Sequence, residues 1–339
     1  MRRSIALGGG AEFDLIRRFL ADADTQASGS DASSRHVLVG PGDDCAVLRG
    51  GPFAISVDMS VEGVHFRRDW LSAEEIGYRS AAVAFSDLAA VAAEPVAALV
   101  SIALQQADRD DFAPAVLRGV QRAAAELGAG VIGGDVARTS GPLTIDVVAI
   151  GHTDAPVLRS SAREGHVLWV TGELGGASAA VQVWTAHATP DHAAREAYAR
   201  PRARTREAHW LHVRGVIGAM IDVSDGIAGD AAHIAAASDV LVEIDSASLP
   251  VHAALRAQAN DEDDARSRAL RGGDDYELLF TAAPGAVEAV RDEFMKSFDV
   301  PLTRIGRVRA GQGVVLLGSD GSAQPLTTGG YDHFRESNT

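Results

Sequence analysis

Short acidic segments beside glycine or serine recur along this chain of 339 residues, and they are the residues best suited to chemistry. Two carboxylates about 4 Å apart repel each other by about 4 kcal/mol at an effective dielectric constant near 20, so a group of them needs solvent or cations. Hard cations such as Mg²⁺ bind oxygen ligands and share them with phosphates. The pattern therefore predicts a phosphate site with several Mg²⁺ ions, assembled from distant loops. The segments are Gly40–Asp44, Ser56–Asp58, Ser86–Ala90, Gly133–Asp135, Asp222–Gly226 and Gly272–Phe280.

The basic residues exclude the two commonest designs for binding nucleoside triphosphates. Lys296 is the only lysine, and it stands in the charged pattern RDEFMKSF with no glycine-rich loop before it. The P-loop and the V-A-I-K lysine of protein kinases are therefore both absent. If the protein handles a nucleoside triphosphate, it must hold the phosphates with metal ions, backbone amides and arginines.

Overall charge and hydropathy limit the partners. The 46 acidic residues outnumber the 31 basic ones, which argues against nucleic-acid binding, because a phosphate backbone needs a basic face. The sequence has no uninterrupted apolar run of membrane-spanning length and no signal-peptide core. We therefore expect a soluble, cytoplasmic protein without a membrane or nucleic-acid partner.

The elements that must position the acids alternate between strands and helices, which predicts an α/β protein. The length favours two domains, and the break near Gly151–Ser161 predicts them at 1–152 and 153–339. The Gly133–Asp135 segment is predicted to be a turn, and the acidic run Asp261–Asp264 a solvated loop rather than a metal site. Predicted strands include 53–58, 167–171, 276–282 and 313–317, and predicted helices include 73–93, 227–238 and 285–298.

Taken alone, each of these segments can be interpreted either as part of a binding site or as an ordinary structural feature. Asp58 ends a predicted strand, where α/β proteins place ligands. Asp87 lies inside an apolar helix, where a carboxylate is costly unless it is paired or bound to a metal. Asp225 precedes a helix whose N-terminus favours anions, although by itself it would be interpreted as an N-cap. Similarly, Gly40–Asp44 alone could be an exposed turn, and a lone histidine such as His65 is more often structural.

Together and in this order, the segments resemble the thiamine-monophosphate kinases, in the superfamily of aminoimidazole-ribonucleotide synthetase and selenophosphate synthetase. The similarity covers nearly the whole chain, and DYELLF with the closing GYDHF distinguishes this kinase from its relatives. The motifs are EFDLI (Glu12–Ile16), GPGDD, SVDMSVEGVHF, SDLAA, GGD, VTGELG (Val170–Gly175), DVSDG, GGDDYELLF and GYDHF (Gly330–Phe334).

The resemblance implies a fold and an activity. The fold would be PurM-like: two AIR-synthase-like α/β domains, with the N-terminal sheet pairing across a homodimer. The activity would be transfer of the γ-phosphoryl group of ATP to thiamine phosphate, giving thiamine diphosphate, with several Mg²⁺ ions. Phosphoryl transfer depends mainly on positioning and charge neutralisation, so we expect direct in-line transfer without a protein nucleophile or a phosphoenzyme.

The resemblance also implies a role for individual residues, in three groups. The metal ligands would be Asp44, Ser56, Val57 through its backbone, Asp58, Asp87, Asp135, Asp222 and Asp225. The ATP contacts would be Gly134, Asp135, Arg159 and Ser224. The thiamine phosphate contacts would be His65, Asp274 and Tyr331.

Several positions depart from the pattern of these kinases. Met59 and Ser60 stand where threonine and leucine are usual, Val136 replaces a threonine, and Asp274 replaces a glutamate that is one methylene longer. None of these changes removes a proposed metal ligand. Two alternatives stay open: another ATP-dependent enzyme resembling aminoimidazole-ribonucleotide synthetase, or a regulator that binds nucleotide and metal without turnover.

Overall fold

The computed structural model of the protein describes residues 51–108, 111–318 and 322–326 and strands at 37–39 and 46–48. Its strands form two separate sheets, one of six strands and one of seven. The first sheet ends at His152 and the second begins at Val167. The predicted α/β class is confirmed.

The N-terminal sheet has the order β1-β2-β3-β6-β4-β5, in which only β4 and β5 are parallel neighbours. Helix α1 packs against β3 and β6, and helix α2 packs mainly against α1. The elements are β1 (Val37–Val39), β2 (Ala46–Leu48), β3 (Phe53–Val61), α1 (Ala73–Ala90), β4 (Glu94–Leu104), α2 (Phe112–Glu126), β5 (Gly130–Arg138) and β6 (Thr144–His152).

The two faces of this sheet differ in their surroundings. Side chains alternate between the faces of a strand, and Ile145, Val147 and Ala149 of β6 are fully buried on the covered face. On the opposite face, Val57 and Met59 of β3 are 61% and 54% exposed. The sheet therefore has one face covered by helices and one open apolar face.

The C-terminal sheet has the order β13-β12-β9-β11-β7-β10-β8. Its strands β7 and β10 are buried along their whole length, which explains their continuous apolar sequences. The strands are β7 (Val167–Thr171), β8 (Ile217–Asp222), β9 (Leu241–Asp245), β10 (Leu278–Ala282), β11 (Leu302–Arg309), β12 (Gly313–Leu317) and β13 (Ala323–Pro325). The helices are α3 (Gly176–Thr185), α4 (His192–Ala199), α5 (Thr205–His212), α6 (Ile227–Ser238), α7 (Ala253–Gln258), α8 (Glu262–Arg271) and α9 (Arg291–Phe298).

Two local predictions were wrong. The GGD segment is not a turn but lies inside strand β5, where a Cβ atom on Gly134 would lie 1.8 Å from the carbonyl oxygen of Val100. The glycine thus permits close approach of β5 to β4. The acidic run is not a loop, because Asp261 caps helix α8 by accepting a hydrogen bond from the amide of Asp264. The acidic side chains in the first turn of α8 also stabilise this helix by interacting with the positive end of its dipole.

Strand β10 and helix α9 also begin later than predicted. The residues before β10 are held by hydrogen bonds outside any strand, and the stretch from Gly285 to Val290 forms turns rather than helix. Within the described residues, none of the helices has both the length and the apolar character needed to cross a membrane.

Glu75 joins helix α1 to helix α4 of the second domain and makes stability depend on pH. Its carboxylate accepts two hydrogen bonds from Arg195, at 2.6 and 2.7 Å, and a third from the amide of Ser72, the N-cap residue of α1. Burial alone would raise the pKa of Glu75, but the hydrogen bonds from Arg195 and Ser72 lower it from 4.5 to about 2.

We expect this carboxylate to stabilise the fold fully above about pH 4.5, its pKa in the unfolded chain, and progressively less as the pH falls towards 2. A Glu75→Gln variant should therefore be less stable than the wild-type protein at pH 7, with a difference that shrinks across this window. Urea unfolding at several pH values measures the difference. A constant difference between pH 7 and pH 3 would contradict the linkage.

Candidate active site

Helix α1 connects the two sheets through two consecutive side chains near its C-terminal end. Ser86 is fully buried and its hydroxyl donates a 2.6 Å hydrogen bond to Asp222 at the end of β8. The next residue, Asp87, accepts a hydrogen bond from the hydroxyl of Ser56 on β3. Consecutive helix residues point about 100° apart, so one turn of α1 reaches both sheets. Three of the predicted segments are thereby brought together.

Asp58 lies two residues beyond Ser56 on β3. Because side chains alternate along a strand, its carboxylate is on the same face as Ser56 and faces the layer of helix α1. The predicted ligand Val57 points its side chain to the open face, so only its backbone could take part in this site.

The DVSDG segment is joined to the segment that precedes β10. The amide of Asp274 donates to the carbonyl of Ser224, and the amide of Tyr276 donates to the carbonyl of Val223, each at 2.8 Å. This pairing places Asp274 directly beside the segment that contains Asp222. The predicted substrate-binding segment thus lies next to predicted metal-binding residues.

Helix α6 begins at Ile227, two residues after Asp225. Its N-cap residue Gly226 has a φ of +94°, and a Cβ atom there would lie 2.9 Å from the backbone of Arg271. The position therefore requires glycine, and the tight turn presents Asp225 at the start of the helix.

Asp274 and Tyr276 both have a left-handed backbone, with φ values of +68° and +51°. Such conformations are uncommon outside glycine and concentrate at functional sites. The Tyr276 hydroxyl donates a 3.0 Å hydrogen bond to Asp274. Burial raises the pKa of Tyr276 well above its usual value, with further contributions from the charges of Asp274 and Asp58. The influence of Asp58 connects β3 electrostatically to this segment.

His65 follows β3 and is held by its ring and by its backbone. Its Nδ1 accepts a 3.0 Å hydrogen bond from the amide of Val61, and its carbonyl accepts a 2.8 Å hydrogen bond from the hydroxyl of Tyr198 on helix α4. This predicted substrate contact is therefore anchored to both domains.

The structure does not bring the GGD segment into this group of carboxylates. Asp135 is paired with Ser101 and lies on the open face of the sheet, where it accepts a hydrogen bond from the amide of Val136. Gly134 is aligned with Asp58 across the sheet through Val147 and Val100. The two residues are three strands apart, which corresponds to about 14 Å at the usual spacing between strands.

Two further predicted residues are outside the described chain, and the backbone of a third lies at the C-terminal end of helix α6, away from Asp225. Asp44 and Tyr331 are not among the described residues. Arg159 begins a short 3-10 turn (Arg159–Ser161) that packs on helix α6, and its carbonyl accepts a 2.7 Å hydrogen bond from Ser238.

The donor atoms of the site fit a hard cation. Among the described residues, His, Cys, Asp and Glu side chains do not form any group of three or more that could hold a metal ion. Asp87 and Asp222 instead accept serine hydroxyls, and the predicted ligand Asp44 is outside the described part. The side chains present supply carboxylate and hydroxyl oxygens, which are the ligands that Mg²⁺ prefers.

Two acids of the DYE sequence have roles that sequence reasoning missed. Both carboxylate oxygens of Asp275 accept the amide of Gly175 at 2.9 Å, at the start of helix α3. Burial raises the pKa of Asp275 well above its usual value. Glu277 is buried and bonded to Arg204 and Thr171. The glycines of VTGELG, which allow these close approaches, were the available signal.

Comparison with known proteins identifies both halves of the chain. The family model for the N-terminal domain of AIR synthase related proteins matches residues 42–153, and the model for their C-terminal domain matches residues 163–319. The thiamine-monophosphate kinase of Bacillus subtilis is 32% identical over 96% of this chain and 99% of its own length. That of Rhodopirellula baltica is 33% identical over 80% of this chain and 84% of its own.

Solved structures give the same result. The crystal structure of the thiamine-monophosphate kinase of Stenotrophomonas maltophilia superposes with a TM-score of 0.74 and 36% identity, covering 96% of this chain and all of that one. The complex of AaThiL with AMPPCP and TMP superposes with a TM-score of 0.78 and 28% identity, covering 96% and 97% of the two chains.

Proposed function

The chain belongs to the AIR synthase related family, among the thiamine-monophosphate kinases, and from this membership we propose that it phosphorylates thiamine phosphate to thiamine diphosphate with ATP. The observation that carries the proposal is the bridge made by Ser86 and Asp87, which gathers oxygen ligands from three distant segments. The relative that binds both AMPPCP and TMP supports this choice of reactants.

We propose that the gathered oxygens hold several Mg²⁺ ions. Asp58, Asp87 and Asp222 would form the centre of the set, with Asp225 at the start of helix α6. Ser56, Asp44 and the backbone of Val57 would complete it, whereas Asp135 lies on the open face of the sheet and would stay outside this set. Bound Mg²⁺ would neutralise phosphate charge, a role that the single lysine of the chain cannot fill.

The residues of the chain have two tasks in the proposed reaction. Ser56 and Ser86 orient carboxylates by donating hydrogen bonds to Asp87 and Asp222. Burial of Asp222 and Ser86 limits the access of water, which would otherwise compete for the phosphoryl group. The acceptor oxygen of thiamine phosphate is already ionised at neutral pH, so no side chain has to remove a proton. The transfer is therefore direct and in line, without a phosphoenzyme.

The two reactants would bind next to each other at the carboxylate group, each held by its own set of residues. Arg159 and Ser224 would contact the nucleotide, and Gly134 with Asp135 would meet it at the edge strand β5. His65 and Asp274, with Tyr331, would bind thiamine phosphate. The backbone pairing of Asp274 with Ser224 supports adjacent positions for the two reactants.

Incubation of the purified protein with ATP, Mg²⁺ and thiamine phosphate tests this function. We expect thiamine diphosphate and ADP in equal amounts, separated by chromatography. Isotopic labelling of the γ-phosphate should give labelled product and no labelled protein. Turnover of formylglycinamidine ribonucleotide instead would identify an enzyme resembling aminoimidazole-ribonucleotide synthetase, and nucleotide binding without any product would identify a regulator.

We also propose that the protein is a homodimer whose interface includes the open face of the N-terminal sheet. On this face Val57 and Met59 of β3 are more than half exposed, and Phe53 of the same strand is 38% exposed. A contiguous apolar face of this kind is typical of protein interfaces. Sedimentation equilibrium separates the 35.3 kDa chain from its dimer, and a monomer at micromolar concentration would refute this assignment.

A further inference from the structure

Arg79 lies near the middle of helix α1, which otherwise carries mostly small apolar side chains, and the proposed reaction gives it no role. It is 5% exposed. A buried guanidinium is costly unless its hydrogen bonds and charge are satisfied. Its partners therefore show why an arginine is held at this position.

The guanidinium of Arg79 joins two proposed substrate contacts. Its Nη2 lies 2.6 Å from the Asp274 carboxylate, and its Nη1 donates a 2.8 Å hydrogen bond to the carbonyl of Tyr198. The Tyr198 hydroxyl in turn donates a 2.8 Å hydrogen bond to the carbonyl of His65. A continuous chain of polar contacts therefore runs from Asp274 through Arg79 and Tyr198 to His65.

Aromatic packing fixes the two middle members of this chain. The guanidinium carbon of Arg79 lies 4.0 Å from the ring centre of Tyr198, a favourable cation–π distance. The Tyr198 ring also meets the edges of Trp70 and Trp184, which stack on each other at 5.1 Å. These contacts leave the guanidinium little freedom to move.

Asp274, at one end of this series of contacts, is more accessible to solvent than Arg79 in its middle. The Asp274 side chain is 37% exposed, whereas that of Arg79 is 6% exposed. Arg79 is therefore placed to act through Asp274 rather than to touch a ligand. The Asp274 carboxylate is held by Arg79 and also accepts a 3.0 Å hydrogen bond from the hydroxyl of Tyr276.

We propose that Arg79 and Tyr198 are positioning residues that set the separation and orientation of Asp274 and His65 for binding thiamine phosphate. The inference rests on the proposed function. It predicts a selective loss of affinity for the phosphate acceptor, since the proposed nucleotide contacts Arg159 and Ser224 are not partners of Arg79 in these contacts.

Steady-state kinetics with each substrate varied in turn tests the proposal. Arg79→Met should raise the KM for thiamine phosphate by about tenfold or more, the usual effect of losing a hydrogen bond to a charged group. The KM for ATP should change by less than about twofold. Arg79→Lys, which keeps the charge, should restore part of the affinity. Tyr198→Phe keeps the ring and removes only the bond to His65, so it should raise the same KM by about threefold.

A double substitution separates positioning from a general structural effect. If Arg79 acts through Asp274, then adding Arg79→Met to Asp274→Asn should raise the KM for thiamine phosphate by less than about twofold beyond Asp274→Asn alone. Arg195→Met provides the matched control, because Arg195 also joins α1 to the second domain but bonds Glu75 rather than Asp274. It should lower stability without changing either KM.

The outcomes distinguish this proposal from the function on which it rests. If the wild-type protein forms no thiamine diphosphate, both are overturned. If the wild-type protein is active but Arg79→Met and Tyr198→Phe leave the KM for thiamine phosphate unchanged, only the positioning role is overturned. Equal increases in both KM values, or additive effects in the double variant, would likewise overturn it.

Discussion

Replacing Asp87 by asparagine is expected to lower kcat for the formation of thiamine diphosphate by about 1,000-fold or more, while the protein stays folded. Even residues that only orient metal ligands change affinity or activity by about 10–100-fold, and a direct ligand should matter more. The asparagine side chain would keep the volume and one oxygen of the aspartate, so packing around helix α1 should be preserved.

The position of Asp87 explains why the effect should be so large. The Ser56 hydroxyl bonds to its carboxylate, and the adjacent Ser86 bonds to Asp222. The Asp87 carboxylate therefore stands between the two sheets, and in the proposed reaction its charge would hold cations between the anionic reactants. We expect the concentration of Mg²⁺ that gives half-maximal activity to rise together with the loss of kcat.

Asp261→Asn is the control for this substitution. Asp261 belongs to an acidic run and caps helix α8, a task that asparagine performs equally well. Its activity and Mg²⁺ dependence should stay within about twofold of the wild-type values. Circular dichroism and thermal unfolding without Mg²⁺ establish that both variants are folded. Near wild-type kcat in folded Asp87→Asn would remove Asp87 from the metal ligands.

Elements with strong local signals could be predicted from the sequence to the residue. Strands β7 and β12 and helix α6 have the predicted bounds, because each is an apolar stretch between glycine or polar residues. The GGD segment could not be predicted correctly. Glycines normally signal a turn, whereas here Gly134 permits the close approach of two strands, a long-range contact that local sequence does not reveal.

The sequence indicated which segments come together better than it indicated how they are arranged. The order of the motifs indicated Ser56, Asp87 and Asp222, and the structure brings them together. The distances between segments depend on how the two sheets pack against helix α1, which motifs do not encode. For the same reason, Asp135 was grouped with these acids although β5 places it on the open face of the sheet.

Arg79 was missed because its sequence signal is indirect. Glu75, Arg79 and Ser86 are spaced by four and by seven residues, and this spacing places them on one side of a helix. In the structure each bonds to a partner in the C-terminal domain. A polar stripe on an alanine-rich helix therefore indicates a domain interface, but only the structure identifies the residues on the other side.

Replacing Arg204 by methionine is expected to lower the free energy of unfolding by about 3–5 kcal/mol, the usual cost of removing one partner from a buried ion pair. Arg204 and Glu277 are 9% and 6% exposed, and the Nε atom of Arg204 donates a 2.8 Å hydrogen bond to Glu277. Without the guanidinium, the buried Glu277 carboxylate would lose its cationic partner and keep the 2.6 Å hydrogen bond from the hydroxyl of Thr171. Glu207, 3.3 Å from Arg204, would lose this ion pair as well.

Urea unfolding of three variants tests whether burial determines how much this ion pair contributes to the free energy of unfolding. Glu277→Gln keeps the shape and leaves Arg204 paired with Glu207, so it should cost less than Arg204→Met. Arg307→Met removes an ion pair with Glu243 in which the arginine is half exposed, and exposed pairs contribute less than about 1 kcal/mol. The expected order of destabilisation is therefore Arg204→Met, then Glu277→Gln, then Arg307→Met. Equal losses for Arg204→Met and Arg307→Met would show that burial does not determine the strength of this pair.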